Sequence, residues 1–289
     1  MELFFQRVCI AGVGLIGGSL ALGMRQQKLV REIVGVGRGE ENLKLAKELG
    51  IIDDYTHQIE QGVEQADLVV LATPVRVMPE LVKKAQGHFR SGAILTDVGS
   101  TKKELIEKIL PLLDSGVDFV PAHPIAGREK TGARYSDPDL FKGRWTIITP
   151  CPRSSSSALE KIKLLWSKLG SKVEMMEPDF HDQVLAWISH LPHMVAYALV
   201  GVVMEKENEV SLLRFSAGGF RDFIRIAGSS PEMWRDICLE NKQPILETIA
   251  RYQKELELLA QWIEEERAEE LEEYFAKTRT IKEKVEKNG

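Results

Sequence analysis

Residues 4–19 read FFQRVCIAGVGLIGGS: a short apolar segment, Phe4–Ile10, flows into Gly12-x-Gly14-x-x-Gly17-Gly18 and then into Ser19–Gln27, which has helical character. A bare GxGxxG is a weak pattern, but strand, tight turn and helix in that order are the context that gives it chemical meaning. Gly12 permits the tight turn, Gly14 lets the backbone approach a pyrophosphate, and Gly17 allows the helix to pack closely on the strand. The helix N-terminus adds N–H donors and the positive end of a dipole. The expectation is a dinucleotide site built from Gly12, Gly14, Leu15, Ile16 and Gly17, with Thr73 contributing from just past a later strand.

Outward from this turn, a second strand at Glu32–Val36 completes a βαβ unit, and Glu40–Leu49 reads as a helix stopped by Gly50 at a C-cap position. Asp67–Ala72 and Ala93–Thr96 are short continuous apolar runs, as buried parallel strands should be. Val117–Val120 leads to Pro121-Ala122-His123-Pro124; Trp145–Thr149, a Ser-rich loop at Ser154–Ser157, a helix Ala158–Leu169 and a strand Lys172–Met176 follow. After Pro178 the chain turns to long helical segments: Asp179–Glu205, a glycine-bearing stretch near Ser216–Phe220, and a highly charged tail. The fold class is therefore α/β: an N-terminal doubly wound, Rossmann-type parallel sheet over residues 1–176, followed by an all-helical dimerisation domain over residues 177–289. In the tail, Ile245, Ile249, Tyr252, Leu256, Leu259 and Ile263 are spaced as the seam of one helix packing on another, which points to a partner helix in a homodimer or to an ordinary amphipathic helix on its own domain.

The composition suits a globular protein of two modest domains: 289 residues, 44% hydrophobic and 28% charged. Lys+Arg 38 against Asp+Glu 43 gives −5, without the basic surplus that carries non-specific nucleic-acid affinity, so no nucleic-acid partner is expected. Cys9, Cys151 and Cys238 are widely spaced and in no CxxC pairing, which suits a reducing cytoplasm better than a disulfide framework or a zinc site. Glycines break up Val8–Leu22, so no targeting segment is expected. The longest apolar run, Met194–Met204, is 11 residues, short of the roughly 20 a membrane span needs. It reads as a buried helix, with no membrane association.

Where an NAD site would carry an Asp or Glu for the ribose, about 20 residues past the turn, the chain reads Gly35-Val36-Gly37-Arg38. Arg38 suits a 2′-phosphate and Gly37 leaves room for it, so NADP is the expected cofactor; a solvated Arg38, with Glu40 or Glu41 turned inward for NAD, is the alternative. Ligands of doubly wound sheets bind outside the carboxyl ends of the strands. That places Asp97-Val98-Gly99-Ser100-Thr101-Lys102 and His123-Pro124-Ile125-Ala126-Gly127 at the centre of any chemistry. A dehydrogenation needs a base for the hydroxyl proton while hydride leaves, and His123 is the first choice. Thr101-x-x-Glu104 also has the form of a capping box, a routine helix start. His190-Leu191-Pro192-His193 sets two imidazoles beside a proline that should kink or interrupt the helix; without HExxH, clustered carboxylates or a nearby cysteine, no metal is expected. Arg221 and Arg225 share a helix face and suit a carboxylate substrate, unless they pair with Asp222.

With GVGLIGGS, DVGSTK, HPIAG, HLPH, GGFRDFIRIA and MWRDI present in this order, nearly the whole chain resembles the prephenate/arogenate dehydrogenases of tyrosine biosynthesis. It looks like their compact form, without a fused mutase or regulatory domain. The resemblance implies a nucleotide domain joined to a helical domain that forms an intertwined dimer, with the active site between them. It implies His123 as the base for the ring hydroxyl, and Ser100 on the same hydroxyl or the nicotinamide. It also implies His193 near the substrate side chain and Arg225 on a substrate carboxylate. Trp234 would be core or cleft wall, and Asp222 would orient an arginine. Arg128 departs from the small hydroxyl residue expected after HPIAG and bears on side-chain recognition. The implied reaction is oxidative decarboxylation of prephenate or arogenate with NADP or NAD. Two rivals are a small β-hydroxy-acid dehydrogenase, for which Lys206 is a poor candidate base, and a non-catalytic NADP-sensing dimer.

Overall fold

The structure is a computed structural model that describes residues 4–128, 130–207 and 212–288. Six strands, β1 (Phe5–Ala11), β2 (Val30–Val36), β3 (Asp54–Thr56), β4 (Leu68–Leu71), β5 (Ile94–Asp97) and β6 (Asp118–Val120), form a parallel sheet in the order 3-2-1-4-5-6. Helices α1 (Leu15–Gln26), α2 (Glu40–Glu48), α3 (Ile59–Val63), α4 (Met78–Ala85) and α5 (Lys103–Ile109) connect them. The unbroken apolar runs follow from burial on both faces. Val8 and Ile10 of β1 pack with Leu20 and Met24 of α1 on one side. Cys9 and Ala11 join Met78, Val82 and Phe119 on the other. Strand order reverses between β1 and β4, which opens the crevice where such sheets bind ligands.

The strands depart from the expected pattern in two places. β3 is three residues of polar, half-exposed chain, too short and too polar to leave an apolar signal. At Pro121 the chain leaves the main sheet. β7 (Ala122–Pro124) pairs antiparallel with β8 (Trp145–Ile148), itself parallel to β9 (Lys172–Met175), so the last expected strands belong to a second, three-stranded sheet, with α6 (Ser156–Lys168) between β8 and β9.

The helical part continues with α7 (Pro178–Leu185), a π turn at Ala186–His190, α8 (Leu191–Glu207), α9 (Gly218–Ile224), a 3₁₀ turn at Arg225–Gly228 and α10 (Pro231–Glu240). Pro192 lies in the first turn of α8, and the expected interruption takes the form of the π turn before it, since proline offers no N–H for the α ladder. The expectation that Met194–Met204 is a buried helix does not hold within one chain: Val202 and Met204 are each 64% exposed. By length and composition Pro178–Lys206 is apolar enough to cross a membrane, yet His181, Asp182 and His190 on the same run are buried in protein. Residues Met1–Lys242 form one compact unit and Gln243–Gly289 another. The second is built from α11 (Lys242–Glu264) and α12 (Ala268–Asn288), where the Trp262 and Tyr274 rings meet edge-on and the Tyr274 hydroxyl donates to Glu255 (3.0 Å).

Candidate active site

The glycine turn sits at the carboxyl end of β1 with the geometry a pyrophosphate requires. Gly12 has φ +100°, and a Cβ there would lie 2.4 Å from the Ala72 carbonyl oxygen. A Cβ at Gly17 would lie 2.2 Å from the Gly12 carbonyl oxygen, whereas one at Gly14 would meet nothing within 4 Å. Asn42 braces the turn: its Nδ2 donates to the Val13 carbonyl (2.8 Å) and its Oδ1 accepts from the Ala133 amide (2.9 Å). Thr73 Oγ1 is buried without a hydrogen-bond partner among the described residues, and Thr73 lines the same cleft as Gly14, Leu15 and Ile16. An unsatisfied hydroxyl beside an open glycine turn fits the polar edge of a nicotinamide nucleotide.

That cleft, of about 570 Å³, continues past Ser100, His123 and Arg128 to His193 and Trp234. His193 stacks on Trp234 (ring centroids 3.9 Å) and donates from Nδ1 to the Ser189 carbonyl (2.9 Å). Trp234 is both core and cleft wall, 5% exposed and lining the pocket. Burial pushes the His193 pKa down, and the nearby Arg225 charge adds to the effect. Arg225 itself opens the 3₁₀ turn after α9, exposed and outside the cleft wall proper, while Arg221 reaches Ser216 instead (3.4 Å). Arg128 is ion-paired with Asp137, whose amide donates to Ser19 of α1 (2.9 Å). At the far edge of the nucleotide site, Arg38 is exposed just past β2. Glu40 is taken up by His57, Tyr55 and Lys44, hydrogen bonds that pull its pKa down to about 2.

His123 lies on β7, opposite Ile147, and is 9% exposed. Burial first, then the charges of His181, Lys102 and His190, hold its pKa well below the ordinary histidine range, so it is neutral at physiological pH. Its Nδ1 lies 2.9 Å from His181 Nε2, and His181 Nδ1 lies 2.7 Å from Asp182 Oδ1. Behind the cleft Lys102 is fully buried, paired with Asp97 and donating to the Ala122 carbonyl (2.9 Å). Burial pushes Lys102 down and Asp97 up, and their mutual attraction opposes both shifts.

The capping-box reading of Thr101 is not what the chain adopts. Thr101 Oγ1 is buried without a partner among the described residues. The first amides of α5 go instead to α7: Lys102 N donates to Asp182 Oδ1 (2.8 Å) and Lys103 N to Asp182 Oδ2 (2.9 Å). A tertiary carboxylate outcompetes the local hydroxyl. His181, Asp182, His190 as a buried group and Asn241 were not singled out from sequence. The available signal was that His181, Asp182, Leu185 and Ala186 share one stripe of a helix, and all four are buried. A His-Asp pair on an apolar stripe needs partners, here the Lys102 and Lys103 amides and His123, while Asn241 ties the Asp182 backbone carbonyl (2.8 Å) to His190 Nδ1 (3.0 Å).

Comparison with known proteins identifies the family to which this sheet and these helices belong. The family model for the nucleotide-binding domain of prephenate dehydrogenase matches residues 20–175, and that for its dimerization domain matches residues 177–277. A prephenate dehydrogenase of Bacillus subtilis is 38% identical over 93% of this chain and 73% of its own length. A cyclohexadienyl dehydrogenase of Zymomonas mobilis is 33% identical over 94% of this chain and 93% of its own. The crystal structure of prephenate dehydrogenase from A. aeolicus, in complex with hydroxyphenyl propionate and NAD+, is 39% identical and superposes with a TM-score of 0.92 over 99% of this chain and 100% of that one. Matched in both its sheet and its helical half, this chain belongs to the prephenate dehydrogenase family.

Proposed function

We propose that the cleft carries out the oxidative decarboxylation of prephenate or arogenate, giving 4-hydroxyphenylpyruvate or tyrosine. The observation that carries this reading is the convergence of the glycine turn, Ser100, His123 and His193 on one cleft at the carboxyl ends of β1, β4, β5 and β7. When bound along Gly12, Gly14, Leu15, Ile16, Gly17 and Thr73, a nicotinamide nucleotide supplies the hydride acceptor. Neutral His123 takes the proton of the ring hydroxyl as hydride leaves the carbinol carbon. The bond to the ring carboxylate then breaks, its electron pair completes the aromatic ring, and carbon dioxide departs. Aromatisation makes the step irreversible, so the protein's task is alignment, one base and cationic clamps.

Ser100 orients the same hydroxyl or the nicotinamide, His193 faces the side chain, and Arg225 takes a substrate carboxylate. Arg128, at the cleft and balanced by Asp137, is the group that weighs a keto-acid against an amino-acid side chain. NADP is the preferred cofactor: Arg38 is exposed at the ribose end, and the neighbouring carboxylate Glu40 is already engaged by three side chains. The chain works as a homodimer in the cytoplasm, divided functionally near residue 176, with its apolar α8 surface and the α11 seam covered by the second copy. The exposure of Val202, Met204, Leu256 and Ile263 supports that reading. The test is reduced-nicotinamide absorbance on mixing the protein with prephenate or arogenate, each with NAD or NADP. Turnover, faster with NADP, is expected; silence in all four combinations from folded protein overturns the reading.

A further inference from the structure

The Asp182 carboxylate accepts a backbone N–H on each oxygen, Lys102 N on Oδ1 and Lys103 N on Oδ2. It is therefore an acceptor toward His181, 2.7 Å away, and His181 Nδ1 must carry the proton. A neutral imidazole with N–H at Nδ1 has its lone pair at Nε2. That lone pair lies 2.9 Å from His123 Nδ1, a distance that requires a single proton between the rings, and only His123 can supply it. His123 then has no proton on Nε2.

We infer that His181 and Asp182 are positioning residues for the base, holding His123 as the Nδ1–H tautomer so that the Nε2 lone pair is free to accept. The inference rests on His123 being the base and names what makes it one. His181 is fully buried and does not line the cleft, so it acts only through His123. The opposite tautomer of His123 would set two lone pairs against each other across 2.9 Å and turn an N–H toward the hydroxyl that must be deprotonated. When the proton arrives at Nε2, the imidazolium keeps its Nδ1–H bond to His181, and the Asp182 charge lies at the far end of the chain. The other charged groups facing the two rings are Lys102, Asp97 and His190, none of which contributes a hydrogen bond to His123. The same carboxylate fixes the amides two and three residues beyond Ser100, which registers the Ser100 turn against the base.

The experiment is nitrogen-15 NMR of histidine-labelled protein, with His123→Asn used to assign the His123 signals, beside kinetics of His181→Leu and His181→Gln. In the unsubstituted protein His123 is expected to show a protonated Nδ1 and an unprotonated Nε2. His181→Leu is expected to lower kcat about 100-fold, in the range of a misaligned base, with KM for the acid substrate and cofactor affinity unchanged. His181→Gln, whose Oε1 can accept the same N–H, is expected to recover most of that loss. A protonated Nε2 on His123, a leucine variant within threefold of the unsubstituted kcat, or a folded glutamine variant no better than leucine would each overturn the inference. An active His123→Asn would overturn the base reading instead, leaving the tautomer measurement to stand on its own.

Discussion

His123, the proposed base, combines two properties that ordinarily conflict, burial and availability. Burial keeps it neutral, and its place on the cleft keeps it within reach of a hydroxyl. His123→Asn is expected to lower kcat by 10²- to 10⁴-fold with the far-UV spectrum unchanged. Because the pKa of His123 is depressed and the base must be neutral, kcat/KM should stay flat from pH 8 through the ordinary histidine range near 6.5 and fall only at more acid pH. A rate that halves at pH 6.5 would contradict this. Arg38 allows a sharper measurement: a charge-assisted contact of about 1.5–3 kcal/mol to a 2′-phosphate corresponds to roughly 10- to 150-fold, so Arg38→Ala should raise KM for NADP by that factor and leave KM for NAD alone. At this scale the sequence revealed residue types but not their protonation. A histidine after a strand is visible in one dimension; the imidazole that sets its tautomer lies 58 residues further along the chain.

Among the elements, the start of α5 separates local from tertiary control. Sequence pattern assigns it to Thr101, and the fold assigns it to Asp182, because a charged acceptor reaching two amides at once outweighs a hydroxyl reaching one. Thr101→Val, which removes an unpartnered buried hydroxyl, should therefore be neutral or slightly stabilising in urea melts. Asp182→Ala should cost about 2 kcal/mol or more, by exposing two helix amides and one imidazole to an unsatisfied interior. Equal costs for the two variants would restore the capping box. The glycine turn, the buried strands and the proline interruption were legible because each is a local consequence of backbone sterics or continuous burial. β3 was not, since its three polar residues join the sheet only through pairing with β2. Nor was the crossing at Pro121, where one residue separates two strands that belong to different sheets.

For the whole molecule, the buried imidazoles link catalysis to acid tolerance. His190 has its pKa pushed by burial from 6.5 down to about 4, and His123 and His181 are depressed as well. In that window the unfolded chain binds more protons than the folded one, so stability is intact above pH 6.5 and is lost progressively as pH falls toward 4. Urea midpoints at pH 7, 5.5 and 4.5 should decline in that order; a constant midpoint would contradict neutral burial. The exposed end of the seam, Leu256 and Ile263, makes a separate prediction. Leu256→Asp combined with Ile263→Asp should convert the proposed dimer to a 32.5 kDa species in light scattering, whereas an unchanged dimer mass would remove these positions from the interface. His123 is a rung of a strand ladder, fixed by its pairing with Ile147, while Arg128, Lys130 and Thr131 ride on the open segment that follows. If His123 is the base and the loop meets the substrate side chain, as proposed, a directed-evolution library confined to those three cleft-lining positions varies the ring substituent accepted while the strand that carries the base stays fixed.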